Sequence, residues 1–158
     1  MEIRDARSDD LLSLVDLIIE LEEGRDLPVV VTEEVLSRDL LSEGAVVHAI
    51  VAEDAGEVVG CAMWSLTYSS RTGRHRAYMS DLCVTRSRRG LGIGRTLVAA
   101  LAARCEQEGW ERLEWRTLAD NPAHRFYERL GAVPLDGRTT FVLTPGALAE
   151  GDGGGTGI

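Results

Sequence analysis

A glycine-rich turn between a predicted strand and a predicted helix constrains the fold more than any other part of the chain. The turn reads Arg-Arg-Gly-Leu-Gly-Ile-Gly-Arg over residues 88–95. Residues 78–84 before it are rich in β-forming side chains, and apolar residues after it recur at helical spacing as far as Gly109. Alternating glycines let a backbone approach a bulky anion, and the free amides at a helix start favour negative charge. The turn therefore predicts an anion site, with a plain strand-to-helix connection as the alternative.

The kind of anion is narrowed by what the turn lacks. No Gly-Lys-Ser/Thr follows, which excludes a P-loop, and the G-x-G-x-G spacing differs from the G-x-G-x-x-G of dinucleotide-binding folds. Residues 71–95 contain seven arginines and one acid, in a chain whose formal net charge is -9. A basic region in an acidic chain suits a ligand that carries several phosphates.

Composition limits the class of protein. A chain of 158 residues with 44 % hydrophobic and 27 % charged content predicts one globular domain. No apolar run approaches the roughly 18 to 20 residues of a membrane span, so we expect a cytoplasmic protein with no membrane partner. The acidity of the whole chain, and the lack of aromatic residues interleaved with the arginines, argue against binding to nucleic acid. Neither the three cysteines nor the three histidines have metal-ligand spacing, so no metal site is expected.

The hydrophobic pattern predicts an α+β fold with a central mixed sheet, because an antiparallel hairpin is followed by a β-α-β-α-β pattern. The hairpin turns at Asp54-Ala55-Gly56, and Asn121 before Pro122 predicts a helix cap. We expect a folded domain over 1–145 and a flexible glycine-rich tail over 146–158. The predicted strands are 2–6, 46–53, 58–67, 78–84, 112–118, one near 133 and 140–143, and the predicted helices run from Ser8, from Thr32 to Gly44, from 93 to Gly109 and from Pro122 to Leu130.

Two motifs together resemble the GCN5-related N-acetyltransferase (GNAT) family. The first is the glycine turn with its preceding strand, and the second is Asn-Pro-Ala-His-Arg-Phe-Tyr-Glu-Arg-Leu-Gly-Ala at 121–132, about thirty residues later and in the family's order. Within the family, residues 78–94 and 126–132 are most similar to diamine (spermidine/spermine) N-acetyltransferases. The resemblance implies a single α+β domain with a mixed, mostly antiparallel sheet and about four helices, and a homodimer.

The resemblance also implies acetyl-CoA as the acyl donor, held where the fourth and fifth strands splay apart. The backbone of Leu82, Cys83 and Val84 would pair with the pantetheine arm like an added strand. The pyrophosphate would lie on Arg89, Gly90, Leu91, Gly92, Ile93, Gly94 and Arg95. Further contacts to CoA fall on Asp120, Asn121, Ala123 and Phe126, where the family's usual asparagine corresponds to Asp120.

The chemistry requires an uncharged amine to be held against the thioester carbonyl and a proton to reach the departing thiolate. The resemblance places the general acid at Tyr127, and a phenol with a reference pKa of about 10 can donate to a thiolate. A helix tyrosine packed against the sheet is the alternative. The position that carries a glutamate base in the diamine enzymes is Ser80 here, so the expected base is a water chain with Ser80 or a nearby acid as one link.

The acceptor is narrowed by charge. Residues 1–43 hold thirteen acids and four arginines, and in the family this segment lines the acceptor side. Glu22, Glu23 and Asp26 are the candidate acceptor-binding residues, and a polyamine, an aminoglycoside or a basic amino-acid derivative would suit them. Solvated helix faces explain the acids equally well. The sequence thus predicts an N-acetyltransferase acting on a primary amine of a small cationic molecule, and the alternative is a non-catalytic acyl-CoA sensor.

Overall fold

A computed structural model describes residues 1–23, 28–135 and 140 of the chain. They form two compact units, Met1–Asn121 and a second one from Pro122 onward. The elements of the first unit are, in order, β1 (Glu2–Asp5), α1 (Leu11–Glu22), α2 (Glu33–Leu41), β2 (His48–Asp54), β3 (Glu57–Ser69), β4 (Arg74–Val84), α3 (Ile93–Gln107) and β5 (Leu113–Glu114). Short 3-10 turns at Ser8–Asp10 and Arg86–Arg88 come before α1 and α3. The second unit contains α4 (His124–Arg129).

The five strands form one mixed sheet in the order β1-β2-β3-β4-β5. β1 to β4 pair antiparallel, whereas β5 runs parallel to β4. A parallel pair needs a crossover connection, and α3 provides it. The expected α+β fold with a mixed, mostly antiparallel sheet is confirmed.

The hairpin between β2 and β3 turns where the sequence predicts. Asp54 and Glu57 are the last paired residues, so the loop contains only Ala55 and Gly56. Both have positive φ, 53° and 86°. A two-residue loop of this kind matches the twist of the strands it joins, and it fixes which face each residue of the hairpin occupies.

Helices cover the two faces of the sheet. The buried residues Leu14 and Leu17 of α1 share a core with Met63 of β3. The next residue, Trp64, points to the opposite face because strand side chains alternate, and Arg104 of α3 lies 5.2 Å from its ring centroid. Helix α1 therefore packs on one face, and helix α3 packs on the other.

Helix α3 sits unusually close to β3 at Gly60. An ideal Cβ at Gly60 would lie 2.8 Å from the Cys83 carbonyl oxygen, 3.3 Å from Leu97 Cδ1 and 3.4 Å from Ile93 Cγ2. No side chain fits in this space. The first two turns of α3 are thereby held directly against the sheet, and the glycine turn that leads into them is held as well.

An ion pair ties the start of the chain to the turn before α1. Arg4 Nη1 and Nη2 donate to Asp10 Oδ2 and Oδ1 at 2.7 and 2.8 Å, and the Arg7 amide donates to Asp10 Oδ2 at 2.7 Å. The hydrogen bonds from Arg4 hold the pKa of Asp10 below its usual range. The Asp10 side chain is only 5 % exposed, so its charge depends on these donors.

Several predicted elements of the first unit have different bounds; β4, for example, begins at Arg74 rather than at residue 78. Helix α2 begins after its predicted cap, Thr32, whose hydroxyl accepts from the Val35 amide at 3.3 Å, but it ends at Leu41 rather than at Gly44. Ser42 already has extended backbone angles. The prediction of a strand over 112–118 is wrong beyond Leu113–Glu114, because β5 pairs with only two residues of β4.

Two predictions for the second unit are also wrong. Helix α4 begins at His124 with Ala123 as its N-cap, two residues after the predicted start at Pro122. Residues 132–135 form no strand with any described residue, and the Val133 side chain is 86 % exposed. Of the predicted strand at 140–143, only Thr140 is described, and the predicted tail at 146–158 lies outside the described residues. Among the helices of the described ranges, none has the length and apolar character that a membrane crossing requires.

Candidate functional site

The glycine turn leads into α3 with two glycines in the left-handed region. Gly90 has a φ of 79°, and Gly92, the N-cap of α3, has a φ of 84°. An ideal Cβ at either position would meet no atom within 4 Å. The backbone conformation, and not crowding, is therefore what requires glycine, and the outer side of the turn is open to a ligand.

The backbone amides of residues 90–95 donate no hydrogen bond to any described residue. The Arg89 amide just before them donates to the Arg86 carbonyl at 3.3 Å, and the Thr96 amide just after them donates to the Gly92 carbonyl at 3.0 Å. Six consecutive amide N–H groups at the positive end of a 15-residue helix thus have no acceptor among the described residues. This arrangement fits a phosphate or pyrophosphate group.

One edge of β4 is open beyond its first few residues. The pairing with β5 covers only Ala77–Leu113 and Tyr78–Glu114. From Ser80 to the end of β4, no described strand pairs with this edge. The separation agrees with the expected splay of the fourth and fifth strands.

The register shows which backbone groups of β4 face the open edge. The Thr85 amide donates to the Val59 carbonyl at 3.0 Å, so Thr85 pairs with β3. Because antiparallel pairing alternates, Cys83 also directs its amide and carbonyl to β3, whereas Leu82 and Val84 direct theirs to the open edge. Of the three residues predicted to pair with a ligand arm, Leu82 and Val84 have the required orientation, and Cys83 lies between them.

Ser80 occupies a β-bulge in β4. Asp81 pairs with Met63 and Met79 pairs with Trp64, so Ser80 has no cross-strand partner. Its side chain is exposed, and its hydroxyl donates to the Met63 carbonyl at 3.4 Å. The bulge interrupts the strand at the residue that the sequence marks as a candidate catalytic position, at the start of the open edge.

The three cysteines are buried free thiols. Cys61 and Cys83 lie opposite each other across β3 and β4. A hydrogen bond between them, followed by burial, raises the pKa of Cys61 well above its ordinary value, and burial raises the pKa of Cys105. Neutral buried thiols are poor nucleophiles. Within residues 1–23, 28–135 and 140, no three His, Cys, Asp or Glu side chains come together as a metal site.

The arginines of residues 71–95 fall into two groups. Four of them form ion pairs with acids: Arg76, Arg86, Arg88 and Arg89. Arg71, Arg74 and Arg95 form none with a described residue. Arg95 is exposed in the first turn of α3, so its guanidinium is the one beside the open amides that no described carboxylate holds.

The candidate acceptor acids lie at the end of α1. Glu22 is half-buried in the last turn, and Glu23 is exposed directly after it. The Glu23 carboxylate forms an ion pair with the Arg86 guanidinium. Asp26 lies outside the described residues.

Glu20 is a site residue that the sequence does not reveal. Its carboxylate accepts from the Arg86 amide at 2.6 Å and from the Thr85 hydroxyl at 3.1 Å. These partners are 65 and 66 positions away along the chain. Spacing on α1 marks Glu20 only as a polar residue, so no signal in the sequence could have identified the contact.

The second unit carries Tyr127 in the middle of α4. Tyr127 is half-buried, and its ring centroid is 5.1 Å from that of Phe126 in an edge-on arrangement. Ala123 precedes the helix as its N-cap. In the first unit, Asp120 is exposed, and the Asn121 amide donates to the Leu118 carbonyl at 3.1 Å.

A family profile described as "Acetyltransferase (GNAT) family" matches residues 14–132. This span is most of the chain, and it contains both the glycine turn and α4. The chain belongs to the GNAT family. The resemblance drawn from the two motifs is confirmed, and this GNAT protein is an acetyltransferase enzyme. Proteins of the GNAT family use acetyl-CoA as the acyl donor.

Three known proteins are similar to this GNAT protein in sequence or in structure. It is 33 % identical over 144 residues to the thialysine N-epsilon-acetyltransferase of Bos taurus, covering 84 % of each chain. A solved integron cassette protein from the mobile metagenome of V. cholerae matches with a TM-score of 0.77 and 29 % identity, over 94 % of this chain and 95 % of that one. An aminoglycoside acetyltransferase from an uncultured soil metagenomic sample, in complex with sisomicin, matches with a TM-score of 0.75 and 20 % identity, over 90 % and 95 %. That last likeness shows the fold alone.

Proposed function

We propose that this protein transfers the acetyl group of acetyl-CoA to a primary amine of a small cationic molecule. The observation that carries the proposal is the run of six amides at residues 90–95 without hydrogen-bond partners in the described chain, at the start of α3 in a GNAT acetyltransferase. These donors would bind the pyrophosphate of CoA. Arg95, which has no carboxylate partner among the described residues, would add a positive charge beside them.

The pantetheine arm would extend along the open edge of β4. Leu82 and Val84 direct backbone groups there, and the Val84 carbonyl already accepts from Arg89 Nε. The arm would therefore pair with the amide and carbonyl of Leu82 and the amide of Val84, as an added strand does. Cys83 would support this edge through its pairing with β3. Further contacts to CoA are proposed for Arg89, Asp120, Asn121, Ala123 and Phe126. The open edge and the free amides are features that an extended ligand ending in phosphates fits.

The proposed reaction is direct attack in a ternary complex. The uncharged amine nitrogen attacks the thioester carbonyl carbon, the new C–N bond forms, and the C–S bond breaks. The proton that the amine loses passes to water hydrogen-bonded to Ser80, which is exposed at the bulge. Tyr127 gives its hydroxyl proton to the departing thiolate, so protons and charge balance once the tyrosinate is reprotonated from solvent.

The acceptor is proposed to be cationic because of the acidic first segment. Thirteen acids and four arginines occupy residues 1–43, and Glu22, Glu23 and Asp26 are the proposed acceptor-binding residues. A relative is named for acetylating thialysine, and a structural neighbour is named for aminoglycosides. Polyamines, aminoglycosides and basic amino-acid derivatives are therefore the acceptors to compare.

Substitution of Tyr127 by Phe separates an enzyme from a sensor. We expect Tyr127→Phe to bind acetyl-CoA as the natural protein does, measured by calorimetry, and to lose most of its turnover, measured as thiol release. An equal turnover in both proteins would contradict the role of Tyr127. Tight acetyl-CoA binding in both with no turnover on any amine would favour a sensor instead.

Two further parts of the proposal concern where and in what state the protein works. We propose a homodimer, because the resemblance to the GNAT family implies one, and we propose that the protein works in the cytoplasm. Light scattering at several protein concentrations would measure the mass in solution. A constant monomer mass would contradict the dimer.

A further inference from the structure

Glu20 is the point where helix α1 holds the segment that leads into the glycine turn. Its carboxylate accepts from three different groups: the Arg86 amide at 2.6 Å, the Thr85 hydroxyl at 3.1 Å and Arg89 Nη2 at 3.3 Å. We call Glu20, Thr85, Arg86 and Arg89 the Glu20 cluster. The Glu20 side chain is 24 % exposed, so water competes with these bonds only in part.

The same segment is closed on itself by Arg89. Arg89 Nε donates to the Val84 carbonyl at 2.9 Å, while its Nη2 reaches Glu20. The Arg88 amide donates to the Thr85 carbonyl at 2.9 Å. The chain from Val84 to Arg89 is therefore a compact turn. Glu20 holds its Thr85 hydroxyl, Arg86 amide and Arg89 guanidinium, whereas Glu23 and Asp54 pair only with the exposed guanidinium groups of Arg86 and Arg88. Gly90 follows directly, so the orientation of this turn sets where the open amides begin.

We propose that Glu20 is a positioning residue for the CoA-binding turn. By holding the Arg86 amide and the Arg89 guanidinium, it keeps residues 90–95 in the conformation that receives the phosphates. This inference rests on the proposed function. It also links the two substrates, because Glu20 lies on the helix whose end carries the proposed acceptor acids Glu22 and Glu23.

A competing effect predicts the opposite result and makes the proposal testable. If Glu20 instead occupied the place of a phosphate on Arg89, removal of its charge would strengthen CoA binding. If Glu20 positions the turn, removal of its charge weakens CoA binding. The sign of the change in affinity therefore decides between the two.

The experiment compares Glu20→Gln with the natural protein and with Asp16→Asn. Asp16 is exposed one helical turn earlier on α1, forms no hydrogen bond or ion pair with a described residue, and carries the same charge. Hydrogen exchange of the amides of 85–89 is measured in the ligand-free proteins, and CoA binding is measured by calorimetry. In Glu20→Gln we expect exchange to rise and the Kd for CoA to rise, each by about tenfold, since hydrogen bonds to a charged group are lost. The KM for acetyl-CoA should rise with little change in kcat.

The proposal is overturned if Glu20→Gln shows the same hydrogen exchange and the same Kd for CoA as the natural protein. A lower Kd for CoA in Glu20→Gln would also overturn it. So would an equal rise in Asp16→Asn, because that result would assign the effect to helix charge alone. If the natural protein binds no CoA, the proposed function fails, and hydrogen exchange alone then tests whether Glu20 positions the turn. Unchanged exchange in Glu20→Gln would overturn the positioning role as well. A Glu20→Ala variant should show a larger rise than Glu20→Gln in both the hydrogen exchange of residues 85–89 and the Kd for CoA.

Discussion

Replacement of Gly60 by Ala tests the close packing of α3 on the sheet. The added Cβ would lie 2.8 Å from the Cys83 carbonyl oxygen, which is backbone and belongs to the β3–β4 pair. It would also lie 3.3 Å from Leu97 Cδ1 and 3.4 Å from Ile93 Cγ2. The side-chain atoms can move by a few tenths of an ångström, but the carbonyl can move only if the strands or the helix move with it.

The magnitude follows from two opposing effects. Overpacking a core by one methyl group costs about 1–3 kcal/mol, and the backbone contact places Gly60→Ala in the upper half of that range. Alanine has less conformational freedom than glycine in the unfolded chain, and this raises the free energy of unfolding by about 0.4–1 kcal/mol. We expect a net loss of about 2 kcal/mol in the free energy of unfolding, or a decrease of about 4–8 °C in Tm for a chain of this size.

Urea unfolding followed by circular dichroism measures the effect. Gly44→Ala is the control, because a Cβ there meets no atom within 4 Å although the φ of 77° is also unfavourable. It should cost about 1 kcal/mol or less. An unchanged midpoint for Gly60→Ala would refute the direct packing of α3 on β3. Because Ile93 begins α3, the variant should also bind acetyl-CoA more weakly than the Gly44 control does.

Three other substitutions test separate parts of the structure. Asp10→Asn should lower the free energy of unfolding by about 2 kcal/mol at neutral pH, because the buried carboxylate loses its bonds from Arg4. Because the pKa of Asp10 is lowered in the folded protein, the carboxylate stabilises the fold above its unfolded pKa of about 3.9, and this stabilisation is lost as pH falls through the folded pKa. The urea midpoints of Asp10→Asn and the natural protein should therefore converge in acid. A constant difference between the midpoints would contradict the ion pair. Gly92→Ala places a side chain at a φ of 84° and should cost about 1 kcal/mol in stability, as at Gly44, and weaken CoA binding by about tenfold in calorimetry. Full retention of affinity would exclude the turn as the phosphate site. Glu111→Gln removes a carboxylate whose pKa is lowered by its hydrogen bond from Arg76. Its thermal midpoint should fall below that of the natural protein at pH 7, and the difference should shrink as pH falls below about 4; an equal difference across this range would refute the contact.

Local chemistry made several elements predictable from the sequence. The Ala55-Gly56 turn, the Thr32 cap and the glycine-rich start of α3 each depend on residues within a few positions of one another. The two motifs that resemble the GNAT family are also short, continuous stretches of sequence. These are cases in which backbone preference and the native fold agree.

The rest depends on contacts that no short stretch of sequence contains. β5 is short because β4 diverges from it after Tyr78, and neither strand alone indicates that separation. The bulge at Ser80 appears only in the register against β3. The bonds from Glu20 to the turn before α3 arise because α1 packs beside that turn. In each case the deciding partner is distant along the chain.

The most direct test of the proposed activity is thiol release from acetyl-CoA by the full chain with a panel of amines. The panel contains thialysine, spermidine, sisomicin and a peptide with a free N-terminus, and mass spectrometry checks each acceptor for one added acetyl group. We predict that at least one of the small cationic amines is acetylated at a rate above the background hydrolysis of acetyl-CoA, and that Tyr127→Phe lowers this rate. Failure of the natural protein to bind acetyl-CoA, or acetylation of the peptide alone, would contradict the account.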